Sequence, residues 1–339
     1  MAKQTIRLLV DSGSQRFVEQ VSALPDAARF EILSYAGKGE EALSGLIQHA
    51  DAVYIYQHFL PEELIQSAPS LRFIQKHGLN CKNIDVAAAT KRGIPVATLP
   101  LFRNATVAEH ALALMLACAR KIIPGHRAVE NAIYQEMGIN PIRTTQREHR
   151  GNWAQIEGVS ELKGASVGII GLGDIGMEVA KRCRAFEMDV FYHQRQRHSG
   201  EIEERFEASF LGFDDLLDSV DFLVLVLPHT PDSEALIGAP EFARMKPSAT
   251  LINVARGAVV DEDALADALA NGQIAMAGLD VYREEPLPVS SPLLAMSNVV
   301  LTPHTGGGSQ RSRALDRPAA LANILRFFDG EQPSGVINL

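Results

Sequence analysis

The stretch Ser166–Cys183, SVGIIGLGDIGMEVAKRC, constrains what this chain can fold into more than any other. The apolar run Val167–Ile170 predicts a buried strand, and Gly171, Gly173 and Gly176 follow it in G-x-G-x-x-G spacing. Met177–Cys183 continues with helical periodicity, which is the context a dinucleotide fingerprint requires. Gly171 permits a tight turn, Gly173 lets backbone approach a pyrophosphate, and Gly176 lets helix and strand pack closely. The phosphates would lie at a helix N-terminus, where unpaired N–H groups and the helix dipole favour an anion. The fold this implies is α/β, a Rossmann-type doubly wound parallel sheet.

The end of the next predicted strand bears on which dinucleotide is bound. An NAD site places Asp or Glu there, bonded to the ribose hydroxyls. Here the strand Asp189–His193 is followed by Gln194, and Asp189 stands at its wrong end. Arg195, Arg197 and His198 come directly after. A guanidinium fork matches a phosphate, whereas a carboxylate in its place would repel one. The reading is NADP(H) as preferred cofactor. NAD(H) is the alternative, with these residues forming a solvated basic loop.

A length of 339 residues suits two domains. The net charge of −9 argues against a nucleic-acid surface, which would be basic. Cys81, Cys118 and Cys183 are odd in number and lack metal-ligand spacing, so no metal is expected and a reducing compartment is. Thr5–Val10 reads as a first strand rather than a secretion signal. Ala111–Ala119 is too short to span a bilayer. The expectation is a cytoplasmic protein with neither membrane nor nucleic-acid partner.

Strands are expected at Ile6–Val10, Ala52–Tyr56, Phe73–Gln75 and Pro95–Ala97, with helices at Pro61–Ser67 and Val86–Lys91. Such alternation implies a second parallel sheet. Thr106–Glu109 has capping-box form, predicting that a long helix starts there. Its body, His110–Arg120, is apolar on nearly every side and is expected between domains or subunits. From Ser166 onward, six strands are expected: Val167–Ile170, Val190–His193, Phe222–Leu227, Thr250–Val254, Ala277–Leu279 and Val299–Leu301. Helices fit at Ile175–Glu187, Phe213–Ser219, Pro240–Met245 and Glu262–Ala270. The final amphipathic helix, Ser312–Phe328, follows the completed sheet and should return to the N-terminal domain, making that domain discontinuous.

Three segments lie just beyond predicted strands, where open parallel sheets take ligands. They carry Arg256, Asp280 with Glu285, and His304 with Gly306 and Gly307. Singly, Arg256 reads as a surface or capping arginine, Glu285 as a solvated carboxylate and His304 as a loop histidine. Together they suit reduction of a 2-keto acid. Hydride arriving at a carbonyl carbon leaves negative charge on oxygen, so a proton donor is needed, and histidine titrates near neutral pH. A carboxylate partner, here Glu285, fixes its tautomer and direction. Arg256 would pair with the substrate carboxylate. Asp280 either orders this edge or caps a turn, and Gly306 and Gly307 let backbone pass close to a nicotinamide.

With those residues in view, the chain resembles the D-isomer-specific 2-hydroxyacid dehydrogenase family over nearly its whole length. The resemblance rests on Asn104–His110 (NATVAEH), GLGDIG, Leu227–Thr230 (LPHT), NVARGAVVD, LDVYREEPL and TPHTGG. It implies that Arg256, Glu285 and His304 form the catalytic set. It further implies cofactor contacts at Thr106, Gly171, Gly173, Asp174, Ile175, Gly176, Gln194, Arg195, Arg197, Pro228, Thr230, Ala255, Asp280, Gly306 and Gly307. Substrate contacts would come from Gly78, Leu79, Asn80, Arg256 and His304. A discontinuous, flavodoxin-like α/β substrate domain of residues 1–105 and 310–339 is implied, with residues 106–309 as the nucleotide domain. The family is typically dimeric through the long helix, so a homodimer is expected.

Within the family, Gln194–Arg197 (QRQR) is similar to NADP-dependent glyoxylate and hydroxypyruvate reductases. Glu285 argues against formate dehydrogenases, which carry Gln there. The expected activity is reduction of small 2-keto acids to D-2-hydroxy acids with His304 as proton donor. An NAD-dependent dehydrogenase and a non-enzymatic dinucleotide-sensing, corepressor-like protein are the alternatives. Two departures stand out. Asn80 replaces the second glycine of the substrate loop, where Asn tolerates positive φ better than most residues. Residues 131–150 are longer than usual and read as a loop, either extending a dimer contact or decorating the surface.

Overall fold

The computed structural model of the chain describes residues 5–11, 15–35, 42–56 and 58–339. These form two compact units, Met1–Arg103 with Ser309–Leu339, and Asn104–Gly308.

Unit 1 holds β1 (Ile6–Val10), α1 (Gln15–Ser22), β2 (Phe30–Leu33), α2 (Ala42–Ile47), β3 (Ala52–Ile55), α3 (Glu62–Gln66), β4 (Phe73–His77), α4 (Val86–Lys91) and β5 (Val96–Leu99). All pairings are parallel, in the order β2-β1-β3-β4-β5. The two-residue period of each strand divides its core. Leu9, Val53, Ile74 and Val96 face one side with Leu43 and Ile47 of α2. Leu8, Val10, Ala52, Tyr54 and Phe73 face the other, covered by Leu321 and Ile324 of the last helix, Gln310–Phe328. β2, which the apolar pattern does not announce, is a four-residue edge strand with only Phe30 buried.

The long helix α5 (Phe102–Ala119) begins a full turn before Thr106, which corrects the capping-box expectation. The amide of Phe102 donates to Asp316 Oδ1 at 2.7 Å, so the acceptor at the helix start is supplied from far along the chain. α6 (Ile122–Glu130) follows, and residues 131–165 contain neither helix nor strand. Residues 141–152 are all exposed.

Unit 2 continues with β6 (Ser166–Ile170), α7 (Asp174–Ala185), β7 (Asp189–His193), α8 (Gly200–Phe206), β8 (Ala208–Phe210), α9 (Phe213–Ser219), β9 (Phe222–Leu225), α10 (Ala239–Arg244), β10 (Thr250–Asn253), α11 (Glu262–Ala270), β11 (Met276–Leu279) and β12 (Val299–Leu301). Its seven parallel strands run β12-β11-β10-β9-β6-β7-β8. Numbered within the unit this is 3-2-1-4-5-6 with a seventh strand added, the doubly wound order, and the direction of winding reverses between β6 and β9. The six expected strands are present, joined by the short edge strand β8. The last helix, α12 (Gln310–Phe328), belongs to unit 1. Among the described residues, no helix is long and apolar enough to cross a membrane, and no group of His, Cys, Asp and Glu is placed to hold a metal.

Candidate active site

The turn from β6 into α7 shows why its glycines are required. Gly171 sits at φ +98, and a Cβ there would lie 3.0 Å from the Val226 carbonyl oxygen. A Cβ on Gly176 would come within 2.2 Å of the Gly171 oxygen, so only glycine lets α7 pack this close to the turn. Gly173 is different, because a Cβ there would meet nothing within 4 Å. As N-cap of α7 it offers no side-chain acceptor to the first-turn amides of Asp174 and Ile175. Open space at the start of a helix fits the pyrophosphate of a dinucleotide.

Beyond β7, Gln194 bonds the carbonyl of Gln196 through Nε2 at 2.6 Å. Arg195 projects into solvent, 82% exposed, with Asp232 at 3.7 Å. Arg197 is differently placed. Its Nε and Nη2 both donate to the Glu203 carboxylate at 2.8 Å, and its guanidinium lies 5.8 Å from the Phe210 ring centre. The Tyr192 hydroxyl also donates to Glu203, at 2.7 Å. Hydrogen bonds from Arg197 and then Tyr192 hold the Glu203 carboxyl down at about 2. His198 lies with Nε2 2.8 Å from the Leu172 carbonyl, stitching this loop to the glycine turn. Among the described residues, Arg195 is the basic residue here whose ion pair is a long, exposed one.

The catalytic candidates come from the carboxyl ends of β10, β11 and β12. Buried Asn253 accepts from the Ala255 amide and donates to the Arg256 carbonyl, both at 3.0 Å, fixing the turn after β10. Arg256 is exposed and donates from Nη1 to the Ala255 oxygen at 2.6 Å. A Cβ on Gly257 would fall 1.8 Å from the Tyr282 carbonyl carbon, so this turn lies directly against the loop that carries Glu285. Tyr282 then ties that loop to the next, its hydroxyl donating to the Thr302 carbonyl at 2.8 Å. The outcome is a contact between side chains nineteen positions apart: His304 Nδ1 lies 2.7 Å from Glu285 Oε2. Glu285 Oε1 accepts from the Tyr282 amide at 3.2 Å. With Nδ1 donating to the carboxylate, Nε2 is the nitrogen left for other chemistry. His304 itself has φ +54, left-handed backbone that a residue with a Cβ rarely adopts.

Asp280 holds that loop in place. It is 2% exposed; Oδ1 accepts from Thr302 Oγ1 at 2.6 Å and the Thr305 amide at 2.9 Å, and Oδ2 from the Gly306 amide at 2.8 Å. His110 Nε2 on α5 completes the shell, 3.1 Å from Oδ1 and 2.8 Å from Thr302 Oγ1. Burial alone would raise the carboxyl, but the bonds from His110, Thr302, Thr305 and Gly306 prevail and hold it at about 2. A Cβ on Gly306 would lie 2.9 Å from Oδ2, so the approach depends on glycine. His110 is a member of the site to which the sequence reading gave no role, although it closes the quoted Asn104–His110 motif.

The remaining sequence candidates are distributed as follows. Thr230 and Pro228 lie after β9, where buried Ser233 bonds the Thr230 amide at 2.8 Å and the Pro228 carbonyl at 3.0 Å. Thr106 is half-buried on α5, and a Cβ on Gly307 would touch Val107 at 3.7 Å. Gly78, Leu79 and Asn80 belong to unit 1, just past β4. Positive φ there is confined to Gly78, at +95; Asn80 keeps ordinary backbone and accepts from the Lys82 amide at 3.0 Å.

Comparison with known proteins agrees with this geometry. Residues 112–306 match the family model described as D-isomer specific 2-hydroxyacid dehydrogenase, NAD binding domain. A glyoxylate/hydroxypyruvate reductase B of Salmonella heidelberg (strain SL476) is 37% identical over 302 residues, covering 86% of this chain and 87% of that one. A protein of Pyrococcus horikoshii OT3 superposes with a TM-score of 0.72 at 27% identity, over 99% of this chain and 96% of its own. An NADPH-dependent glyoxylate/hydroxypyruvate reductase of Sinorhizobium meliloti, in complex with citrate, gives 0.68 at 26% identity, over 98% and 97%. The chain belongs to the D-isomer specific 2-hydroxyacid dehydrogenases, oxidoreductases that use a nicotinamide dinucleotide.

Proposed function

We propose that this enzyme is an NADPH-dependent reductase of small 2-keto acids of the glyoxylate and hydroxypyruvate type, forming D-2-hydroxy acids. The observation that carries it is the His304–Glu285 pair, 2.7 Å apart, on a loop edge against which the turn carrying exposed Arg256 packs. The nicotinamide, when bound, supplies the hydride to the carbonyl carbon. His304 gives its Nε2 proton to the carbonyl oxygen as negative charge develops there. Glu285 keeps the imidazole oriented. Arg256 pairs with the substrate carboxylate, exchanging its contact with the Ala255 oxygen for a bidentate one. Gly78, Leu79 and Asn80 are read as further substrate contacts.

The absence of an acid after β7 and the exposed Arg195 support NADPH over NADH, and the similar enzyme of Sinorhizobium meliloti is NADPH-dependent. Because Arg197 is engaged by Glu203, Arg195 is the principal partner of the extra phosphate in this reading. A homodimer through the α5–α6 region accords with exposed Ile122 and Val129, and three free cysteines accord with a cytoplasmic setting.

The test is oxidation of NADPH and NADH followed at the nicotinamide band with glyoxylate, hydroxypyruvate, pyruvate and phenylpyruvate. Glyoxylate or hydroxypyruvate should turn over, with kcat/KM favouring NADPH by about tenfold or more, as one added charged contact allows. Cofactor binding without turnover of any acid would sink the enzymatic reading. A tenfold preference for NADH would sink only the cofactor assignment.

A further inference from the structure

The chain on both sides of His304 is tied to one carboxylate, and α5 reaches that carboxylate from outside the loop. Asp280 Oδ1 takes the Thr302 hydroxyl at 2.6 Å and the Thr305 amide at 2.9 Å, while Oδ2 takes the Gly306 amide at 2.8 Å. His304 lies inside this bracket at φ +54. Strained backbone of this kind persists only where its surroundings over-determine it. The loop supplies part of the constraint itself. The His304 amide donates to the Thr302 carbonyl at 3.1 Å, and the Gly308 amide to the Thr305 carbonyl at 2.9 Å.

The rest comes from His110, which meets the bracket in two ways. The Thr302 hydroxyl has one hydrogen, and its charged acceptor at 2.6 Å, Asp280 Oδ1, takes it. Thr302 Oγ1 therefore accepts from His110 Nε2 at 2.8 Å. That nitrogen carries a hydrogen and directs it into the fork between Thr302 Oγ1 and Asp280 Oδ1, which is 3.1 Å away. The same ring packs on the loop backbone: a Cβ added to Gly306 would lie 3.5 Å from His110 Cδ2 and 3.6 Å from its Cβ. The helix that carries the ring is itself fixed. Ala108, Ala111, Leu114 and Met115 of α5 are buried in one core with Val167, Ile169 and Ile252 of the sheet. A donor on a fixed helix sets where Asp280 Oδ1 stands, and Asp280 sets Thr302, Thr305 and Gly306.

We propose that His110 is a positioning residue for the proton donor, acting through Asp280 and Thr302 to keep the His304 imidazole aligned on the substrate carbonyl. Its effect on turnover rests on the reductase reading; the tie between α5 and the His304 loop does not.

The test compares His110→Leu, which removes the donor, with His110→Gln, whose side-chain amide returns an N–H at the reach of Nε2. The readouts on the full chain are kcat and KM for glyoxylate under NADPH, the solvent isotope effect on kcat, and hydrogen exchange of the peptide spanning Thr302–Gly308. His110→Leu should lower kcat by about tenfold or more, the range for removing a hydrogen-bonded support behind a working side chain, with KM and NADPH affinity nearly unchanged. The solvent isotope effect should rise, because proton transfer from a misplaced imidazole slows relative to the other steps. Exchange should quicken at Thr305 and Gly306, and His110→Gln should recover most of kcat and of the protection. Intact kcat in His110→Leu overturns the proposal. A lower melting temperature with kcat and isotope effect intact marks a structural histidine and overturns it equally. His110→Gln no better than His110→Leu shows that the bulk of the ring matters and not its donor, which also overturns it. Should His110→Leu not fold, Thr302→Val deletes the oxygen between His110 and Asp280 and carries the same readouts. Failure of the reductase reading would look different: wild type oxidises no NADPH with any 2-keto acid, yet exchange at Thr305 and Gly306 still depends on His110.

Discussion

The loop bearing His304 and the loop bearing Arg195 both lie beyond strands of the same sheet, yet they are built in opposite ways. The first is anchored from beneath by one buried carboxylate, Asp280, whose bonds reach Thr302, Thr305, Gly306 and His110. The second is held by ion pairs of exposed arginines, Arg195 with Asp232 and Arg197 with Glu203. A proton donor must meet a reacting atom within a fraction of an ångström, so its support is rigid and desolvated. Recognition of a phosphate tolerates a side chain that reaches from solvent. Substitutions in the first loop should therefore affect turnover and folding, and those in the second should shift preference between cofactors.

The largest effect expected is on turnover. His304→Gln removes the proton donor and should lower kcat by about 10²–10⁴-fold, leaving NADPH binding by fluorescence titration unchanged. Retention of more than a tenth of the wild-type kcat would erase the contrast between the loops.

Next comes the anchor beneath it. The Asp280 carboxyl, at about 2, lies below its ordinary 3.8, so the unfolded chain takes up its proton first as the pH falls. Its stabilisation is therefore fully present above about pH 4 and lost between about 4 and 2. Asp280→Asn should destabilise the fold at pH 7 by about 2 kcal/mol, and the gap from wild type should close as pH approaches 2. Urea unfolding at several pH values measures this; a gap independent of pH would mean that packing, and not ionisation, is what the carboxylate contributes.

Much of this was legible in the sequence because buried parallel strands read as continuous apolar runs. Val167–Ile170 and Phe222–Leu225 are such runs, and both lie in the middle of the sheet. The strands that escaped, Phe30–Leu33 and Ala208–Phe210, are short edges carrying Glu31 and Ser209. The start of α5 was misplaced because the acceptor for its first amide, Asp316, lies 214 positions away, beyond any local capping rule. At the site, residue types pointed to Arg256, Glu285 and His304, since each stands just past a strand. What holds them together was not readable, because the ties of Tyr282, Asp280 and His110 run between loops and a helix distant in sequence. His198, read as part of a basic cluster, proves to bond the Leu172 carbonyl of the glycine turn.

A smaller effect sharpens the cofactor side. Arg195→Ser should reduce kcat/KM for NADPH by about tenfold, the lower range for a charged contact because the site is exposed, while NADH changes little. An equal loss with both cofactors would show that Arg195 supports the loop and reads no phosphate.

The smallest effect is the most discriminating, because it concerns an arginine that already has a partner. Glu203 stays ionised down to about pH 2, so its two-pronged hold on Arg197 persists across any working pH. Glu203→Gln keeps an acceptor for the Tyr192 hydroxyl but loosens Arg197, whose guanidinium is then available to the extra phosphate of NADPH. Affinity for NADPH should improve by about two- to threefold, the range of one exposed ion pair, with NADH unchanged. If instead both cofactors bind more weakly, the Arg197–Glu203 pair is a strut that shapes the loop after β7, and Arg195 alone distinguishes the two dinucleotides.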